Sequence, residues 1–271
     1  MNICFIGGGN MATALIGGLL GQGFAASKIS VVEINVENRT RLHNDFAVRA
    51  VDSLAEGING SQVIVLAIKP QQLHEVVQEL APQLSGQLLV SIAAGIRAVD
   101  IARWAGTQAV VRAMPNTPAL IQSGMTGMYA LPSVDAVQRE QAQGILAAVG
   151  DTLWLQDEAM VDAVTAISGS GPAYVFYFIE ALERAAQELG FVADDARRLS
   201  VATFLGASKL AASSKEDTGV LRARVTSKNG TTERALLSME ANQVKQHIIT
   251  AAEAAAERSR ELGDELGRAS C

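Results

Sequence analysis

Residues Val225 to Thr232 read Val-Thr-Ser-Lys-Asn-Gly-Thr-Thr, a run that sets hydroxyls around a tight turn and holds no carboxylate or imidazole. A helical pattern starts near Thr231, so the turn would present unpaired backbone amides at a helix N-terminus. Such a group suits a small anion better than it suits acid-base chemistry. On this reading the amides of Asn229, Gly230 and Thr231 and the Ser227 hydroxyl hold the anion, and Thr232, one step further in, offers its hydroxyl to the same ligand. A plain Ser/Thr helix cap would use the same residue types.

The second group is Gly7-Gly8-Gly9-Asn10-Met11-Ala12, which follows the apolar run Asn2 to Ile6 and opens a helix over Met11 to Leu20. Gly7 permits the turn, Gly9 lets a pyrophosphate approach the backbone, and the small Ala12 lets helix and strand pack closely. Asn10 and Met11 begin the helix whose amides face the phosphate. At the end of a first strand this spacing is a dinucleotide fingerprint. Glu33 ends the second apolar run, where a carboxylate accepts hydrogen bonds from a ribose diol and points to NAD. Arg39, with Arg41 close behind, points instead to a 2′-phosphate and NADP. Both readings stand at this level.

Three further segments close apolar runs, and ligands of open α/β sheets lie beyond such carboxyl ends. They are Ala67-Ile68-Lys69-Pro70, Ser91-Ile92-Ala93-Ala94-Gly95 and Met114-Pro115-Asn116-Thr117-Pro118. Turn chemistry alone would explain any one of them. Ser168-Gly169-Ser170-Gly171-Pro172-Ala173-Tyr174 joins two helical patterns, with Ser170 as a cap and Pro172 in a first turn; a substrate contact from Ser170 is the functional alternative.

Together, Gly7 to Ala12, Ser168 to Tyr174 and Val225 to Thr232 resemble the signature of the Δ1-pyrroline-5-carboxylate reductase family, and the resemblance spans essentially the whole chain. The family's usual Ser-Pro-Gly-Gly-Thr-Thr stands here as Ser227-Lys228-Asn229-Gly230-Thr231-Thr232. The resemblance implies reduction of a cyclic imine to proline, with NADPH as reductant and NADH as the alternative. It implies that Ala67, Lys69, Pro70, Ala93, Gly95 and Asn116 line the cofactor cleft, and that Thr232 is the catalytic hydroxyl. It also implies a homodimer through the helical domain and, beyond it, a ring of dimers. Two rivals are another imine or 3-hydroxy-acid reductase of similar architecture, and a non-catalytic protein that senses NAD(P). Hydroxy-acid enzymes of this architecture typically employ a lysine on the first interdomain helix, and Pro172 to Leu189 contains none.

These residues need a scaffold. Up to residue 157 short apolar runs alternate with amphipathic ones, the pattern of an α/β domain with a Rossmann-type, doubly wound parallel sheet. The expected strands are Asn2 to Ile6, Ile29 to Glu33, Val63 to Ile68, Leu88 to Ile92, Ala109 to Ala113 and Gly127 to Ala130, with Leu153 to Leu155 as a last one. From 158 to 271 strand signals vanish, and helices are expected over Glu158 to Ile167, Pro172 to Leu189, Asp194 to Ser213 and, with breaks, Thr231 to Leu266. Tyr174 to Leu189 and Leu199 to Leu210 are apolar around much of their circumference, which calls for cover from a second subunit.

Composition narrows the classes. The 271 residues are 49% hydrophobic and 18% charged with a net charge of −6, which argues against nucleic acid as a partner and leaves a small molecule. Cys4 and Cys271 form no disulfide framework, and His43, His74 and His247 have no ligand spacing, so no metal is expected. No stretch approaches the length of a membrane span. The strand at Asn2 leaves no room for a leader, so the expected setting is the cytoplasm.

Overall fold

A computed structural model describes residues 1–268; Cys271 lies outside them. Eight strands, β1 (Ile3–Ile6), β2 (Ile29–Val32), β3 (Arg49–Val51), β4 (Val63–Leu66), β5 (Leu88–Ser91), β6 (Val110–Met114), β7 (Gly124–Ala130) and β8 (Gly150–Trp154), form one sheet in the order β3-β2-β1-β4-β5-β6-β7-β8. The residues of β1, β4 and β5 are all buried. Their apolar runs, interrupted only by Ser91 at the end of β5, are what a parallel sheet covered on both faces demands. Strand order reverses at β1, which pairs with β2 on one side and β4 on the other. That reversal opens a crevice at the carboxyl ends of β1 and β4.

The helices are α1 (Asn10–Gly21), α2 (Val36–Phe46), α3 (Leu54–Ile58), α4 (Pro70–Leu80), α5 (Ala98–Ala105), α6 (Ala136–Leu146), α7 (Ala159–Val164), α8 (Gly171–Glu188), α9 (Ala193–Ser213), α10 (Thr218–Arg224), α11 (Thr231–Ala241) and α12 (Val244–Arg268). The fold class expected from the pattern is present, with one departure. β7 runs antiparallel to β6, and β8 runs parallel to β7. Only residues 115 to 123 join β6 to β7, too few for the crossover a parallel pair requires. The strand β3 and helices α3 and α10 carry too few residues to register as periodic patterns.

The chain divides into two compact units, Met1–Ser170 with the segment from Ala254 onward, and Gly171–Glu253. The end of α12 thus belongs to the sheet unit, and side chains explain why. Arg112 on β6, 2% exposed, donates to Asp162 Oδ1 at 2.9 Å and to Glu158 Oε1 at 3.3 Å. Ser259 on α12 donates to the same Asp162 oxygen at 2.8 Å, and Glu158 Oε1 also accepts the Ala98 amide at 2.6 Å. Arg97 pairs with Asp264. A Cβ on Gly263 would stand 2.9 Å from the Gly95 carbonyl oxygen, so the two backbones touch.

In the second unit α8 packs against α9, yet no residue of α8 is buried within the single chain. Phe176 is 64% exposed, Tyr177 72% and Leu205 54%. So much exposed apolar surface marks a face made for contact. Among the described residues no helix is long and apolar enough to cross a membrane.

Candidate functional site

At the crevice beside β1 a cleft of about 310 Å³ is lined by Gly7, Gly8 and Gly9, by Glu33 and Ile34 after β2, and by Ala67 and Lys69 after β4. Gly7 turns the chain out of the sheet with φ +97, and a Cβ there would stand 2.6 Å from the Ala67 carbonyl oxygen. Glycine is forced at that position by the protein itself. Gly9 is different. Its φ of −72 and ψ of −175 suit any residue, and a Cβ there would meet nothing within 4 Å. The fold leaves that space open, and a pyrophosphate lying against the backbone would fill it. No side chain caps α1, and its first turn holds no acid, so its free amides and positive dipole end are left for an anion. Asn10 and Met11 open this helix, and Ala12, 1% exposed, packs it onto the sheet. These residues fit a dinucleotide.

Glu33 is held at the cleft edge by two backbone donors: its Oε2 accepts the Gly8 amide at 3.0 Å and its Oε1 the Asn35 amide at 2.9 Å. Arg39 Nη1 donates to the carbonyls of Glu33 at 2.7 Å and Ile34 at 2.9 Å, while Nη2 lies 3.2 Å from Asp52 Oδ2. Arg39 thereby braces the loop after β2. Asp52, missed in the sequence because the three-residue β3 before it gave no strand signal, also lines the cleft.

Lys69 caps the backbone at the start of α4 and Pro70 occupies its first turn. The Lys69 ammonium makes no hydrogen bond or ion pair among the described residues while lining the cleft. Ala93 is buried, its amide donating to Ser91 Oγ at 3.3 Å. Gly95, at φ +77, faces Leu262 of α12, where a Cβ would stand 3.0 Å from the Leu262 Cβ.

Two motifs that the sequence read separately meet. Asn116 Nδ2 donates to the Ser168 carbonyl at 3.2 Å and hydroxyl at 3.1 Å, and its Oδ1 accepts the Met125 amide at 2.9 Å. Residues Thr165–Gly169 form a π-helical turn after α7, and the Ser170 amide closes it onto the Thr165 carbonyl at 2.8 Å. Such wide turns recur at functional sites.

In the helical unit Asn229 adopts the left-handed region at φ 59, which an Asn tolerates. Its amide donates to Glu233 Oε2 at 2.7 Å, and the Gly230 amide donates to the Ser227 carbonyl at 3.0 Å. Gly230 is the N-cap of α11, so the amides of Thr231 and Thr232 have no partner within the helix. The hydroxyls of Ser227 and Thr232 make no hydrogen bond among the described residues. Of the three amides expected to hold an anion, Thr231's is thus left open, with Thr232's beside it. Glu233, whose carboxylate closes the turn, carried no signal beyond a capping pattern.

Comparison with known proteins places the chain. Residues 158–262 match the family model "pyrroline-5-carboxylate reductase dimerisation", and residues 2–95 match "NADP oxidoreductase coenzyme F420-dependent". Over 268 residues the chain is 48% identical to the pyrroline-5-carboxylate reductase of Pseudomonas aeruginosa, covering 98% of each. It is 41% identical to that of Haemophilus influenzae, covering 96% of this chain and 97% of the relative. A solved pyrroline-5-carboxylate reductase from Coxiella burnetii superposes with a TM-score of 0.92 at 38% identity, covering 96% of this chain and 98% of the other. The Plasmodium falciparum enzyme, solved with NADP bound, gives 0.87 at 28% identity, with 97% and 98% covered. With identity of this order over nearly the full length of both chains, the chain belongs to the pyrroline-5-carboxylate reductase family.

Proposed function

We infer that this chain reduces Δ1-pyrroline-5-carboxylate to L-proline with NAD(P)H, the last step of proline synthesis. The observation that carries the reading is the 48% identity to a curated reductase over 98% of both chains. A bound reduced nicotinamide supplies the hydride that the imine carbon takes up. The protein's own task is to bind, orient and exclude water, since a protonated imine already carries the proton its nitrogen needs. Gly9, Asn10 and Met11 face the pyrophosphate, Gly7 turns the chain toward it and Ala12 seats the helix behind it, while Glu33 and Lys69 stand at the rim of the same cleft, with Arg39 bracing it. Ala67 and Pro70 shape the loop after β4, while Ala93, Gly95 and Asn116 support the neighbouring loops. The open amides at the start of α11 and the Ser227 hydroxyl take the substrate carboxylate, and Asn229 and Gly230 set the turn that aims them. The Thr232 hydroxyl donates to the lone pair that develops on the ring nitrogen as hydride adds to the carbon, and Ser170 supports the substrate.

On this reading residues 1–157 bind the dinucleotide and 158–271 carry the substrate loop and the dimer face. The exposed apolar surface of α8 and α9 lies inside the region matched to the dimerisation model, which supports a homodimer, and a ring of such dimers is the further assembly. The setting is the cytoplasm. The test is oxidation of NADPH, and separately NADH, by purified protein given Δ1-pyrroline-5-carboxylate. Substrate-dependent oxidation with proline as product is expected. Cofactor binding without turnover would move the reading to another imine or to a sensor of NAD(P).

A further inference from the structure

We propose that Glu33 is a specificity-determining residue that turns this chain toward NADH and away from NADPH; the proposal rests on the reductase reading above. Glu33 lies at the end of β2, where an adenosine ribose passes in a fold of this topology. Its carboxylate is fixed, one oxygen on the Gly8 amide at 3.0 Å and the other on the Asn35 amide at 2.9 Å. Each oxygen keeps a lone pair for a ribose hydroxyl, because a carboxylate accepts about four hydrogen bonds in all. A 2′-phosphate at the same place would bring close to two negative charges against it, and like charges in a cleft cost several-fold to many-fold in affinity.

Of the two arginines that could offset this, Arg39 is committed elsewhere and Arg41 makes one long contact at the cleft. Arg39 is spread over two carbonyls and Asp52. Arg41 reaches the Gly8 carbonyl at 3.4 Å. The next residue along the rim is Ile34, 79% exposed, which offers neither a hydroxyl nor a charge. Asn35 spends its side-chain oxygen capping α2 through the Asn38 amide at 2.9 Å. Asp52 and Glu79 add two more carboxylates to the cleft, and of its lining residues Lys69, beyond the β4 end, brings an ammonium. The Lys69 charge sits after β4 rather than after β2, so it serves the pyrophosphate side of a bound dinucleotide.

The test is equilibrium binding to the full-length protein, by calorimetry or by quenching of intrinsic fluorescence, with NADH, NADPH, ADP-ribose and 2′,5′-ADP as probes. Wild type is expected to bind NADH about tenfold or more tighter than NADPH, and ADP-ribose tighter than 2′,5′-ADP. Glu33→Gln keeps an acceptor for the Gly8 amide while removing the charge, and it should shrink the NADH to NADPH ratio several-fold, mainly through tighter NADPH binding. Equal or tighter binding of NADPH by wild type overturns the proposal and leaves the reductase reading intact. A wild-type preference for NADH that survives unchanged in Glu33→Gln overturns the assignment to Glu33. If none of the four probes binds, the dinucleotide reading itself fails.

Discussion

Asn116 and Ser168, 52 residues apart, are joined by two hydrogen bonds from one side-chain amide, at 3.2 Å to the carbonyl and 3.1 Å to the hydroxyl. The third bond of Asn116 accepts the Met125 amide. One side chain therefore locks the loop after β6, the start of β7 and the π-helical turn. An amide suits this, since its nitrogen end carries two donors while its oxygen end accepts. Asn116→Asp keeps the acceptor for Met125 but sets a carboxylate against the Ser168 carbonyl. It should cost about 1–3 kcal/mol of stability, read by thermal or denaturant unfolding. A melting curve unmoved from wild type would show that the bonds contribute nothing net.

Arg112, Glu158, Asp162 and Ser259 form a buried polar cluster that fastens α12 to the sheet unit. Removing the guanidinium leaves Asp162 uncompensated among buried groups, a situation that typically costs about 3–5 kcal/mol. Arg112→Met should therefore unfold at markedly lower urea. Adding Asp162→Leu should return part of the loss, because two apolar groups replace two charges. If the double variant is as unstable as the sum of the singles, Arg112 and Asp162 are not coupled.

How far the chain could be read in advance follows from this cluster. The strands β1, β4 and β5 were legible because both faces are buried and every residue but Ser91 is apolar. The glycine loop was legible because its spacing and its place after β1 agree. Arg112 was not, because an Arg inside the run Val110 to Met114 looks like any charged interruption until a partner 50 residues away appears. The antiparallel turn at β7 hid for another reason. A strand's direction is set by the length and path of its connection, and no residue in Gly124–Ala130 records it. Arg39, read for its charge, also donates to the carbonyls of Glu33 and Ile34 and pairs with Asp52, contacts that no sequence pattern records.

Cys4 gives stability a pH dependence of known sign. Burial pushes its thiol from 9.0 up to about 11, against smaller lowering effects of Ser30 and Arg49. The unfolded thiol ionises near its ordinary value, so between these limits the folded state holds the extra proton. The contribution is full below about pH 9 and is lost as pH climbs toward 11. Wild type should lose roughly 2 kcal/mol more than Cys4→Ala between about pH 8 and about pH 10.5, read from urea unfolding at each pH. Parallel losses in the two proteins would mean that the buried thiol ionises as freely as the unfolded one.

Gly7 and Gly9 separate folding from binding within one loop. Gly7→Ala forces a Cβ into the left-handed region and against the Ala67 carbonyl, so it should destabilise the fold by about 1–3 kcal/mol. Gly9→Ala meets open space with an ordinary backbone, so its melting temperature should match wild type. Its Kd for dinucleotide should nonetheless rise about tenfold or more, because the methyl occupies the room a pyrophosphate needs. A Gly9→Ala protein that binds normally would remove the phosphate from that position.

Thr232 tests the substrate half independently of the cofactor half. Its hydroxyl has no partner among the described residues and its amide is open at the start of α11, so neither is needed to hold the turn. Thr232→Ala keeps the amide and should leave cofactor Kd and melting temperature close to wild type. Turnover should fall by about 10- to 100-fold if the hydroxyl donates to the ring nitrogen as charge redistributes in the transition state. Thr232→Ser restores a hydroxyl without the methyl and should recover most of the rate. That rescue distinguishes hydrogen bonding from packing: equal losses in Ala and Ser variants would assign Thr232 a steric role, and no loss in either would leave it as one more residue in a helix's first turn.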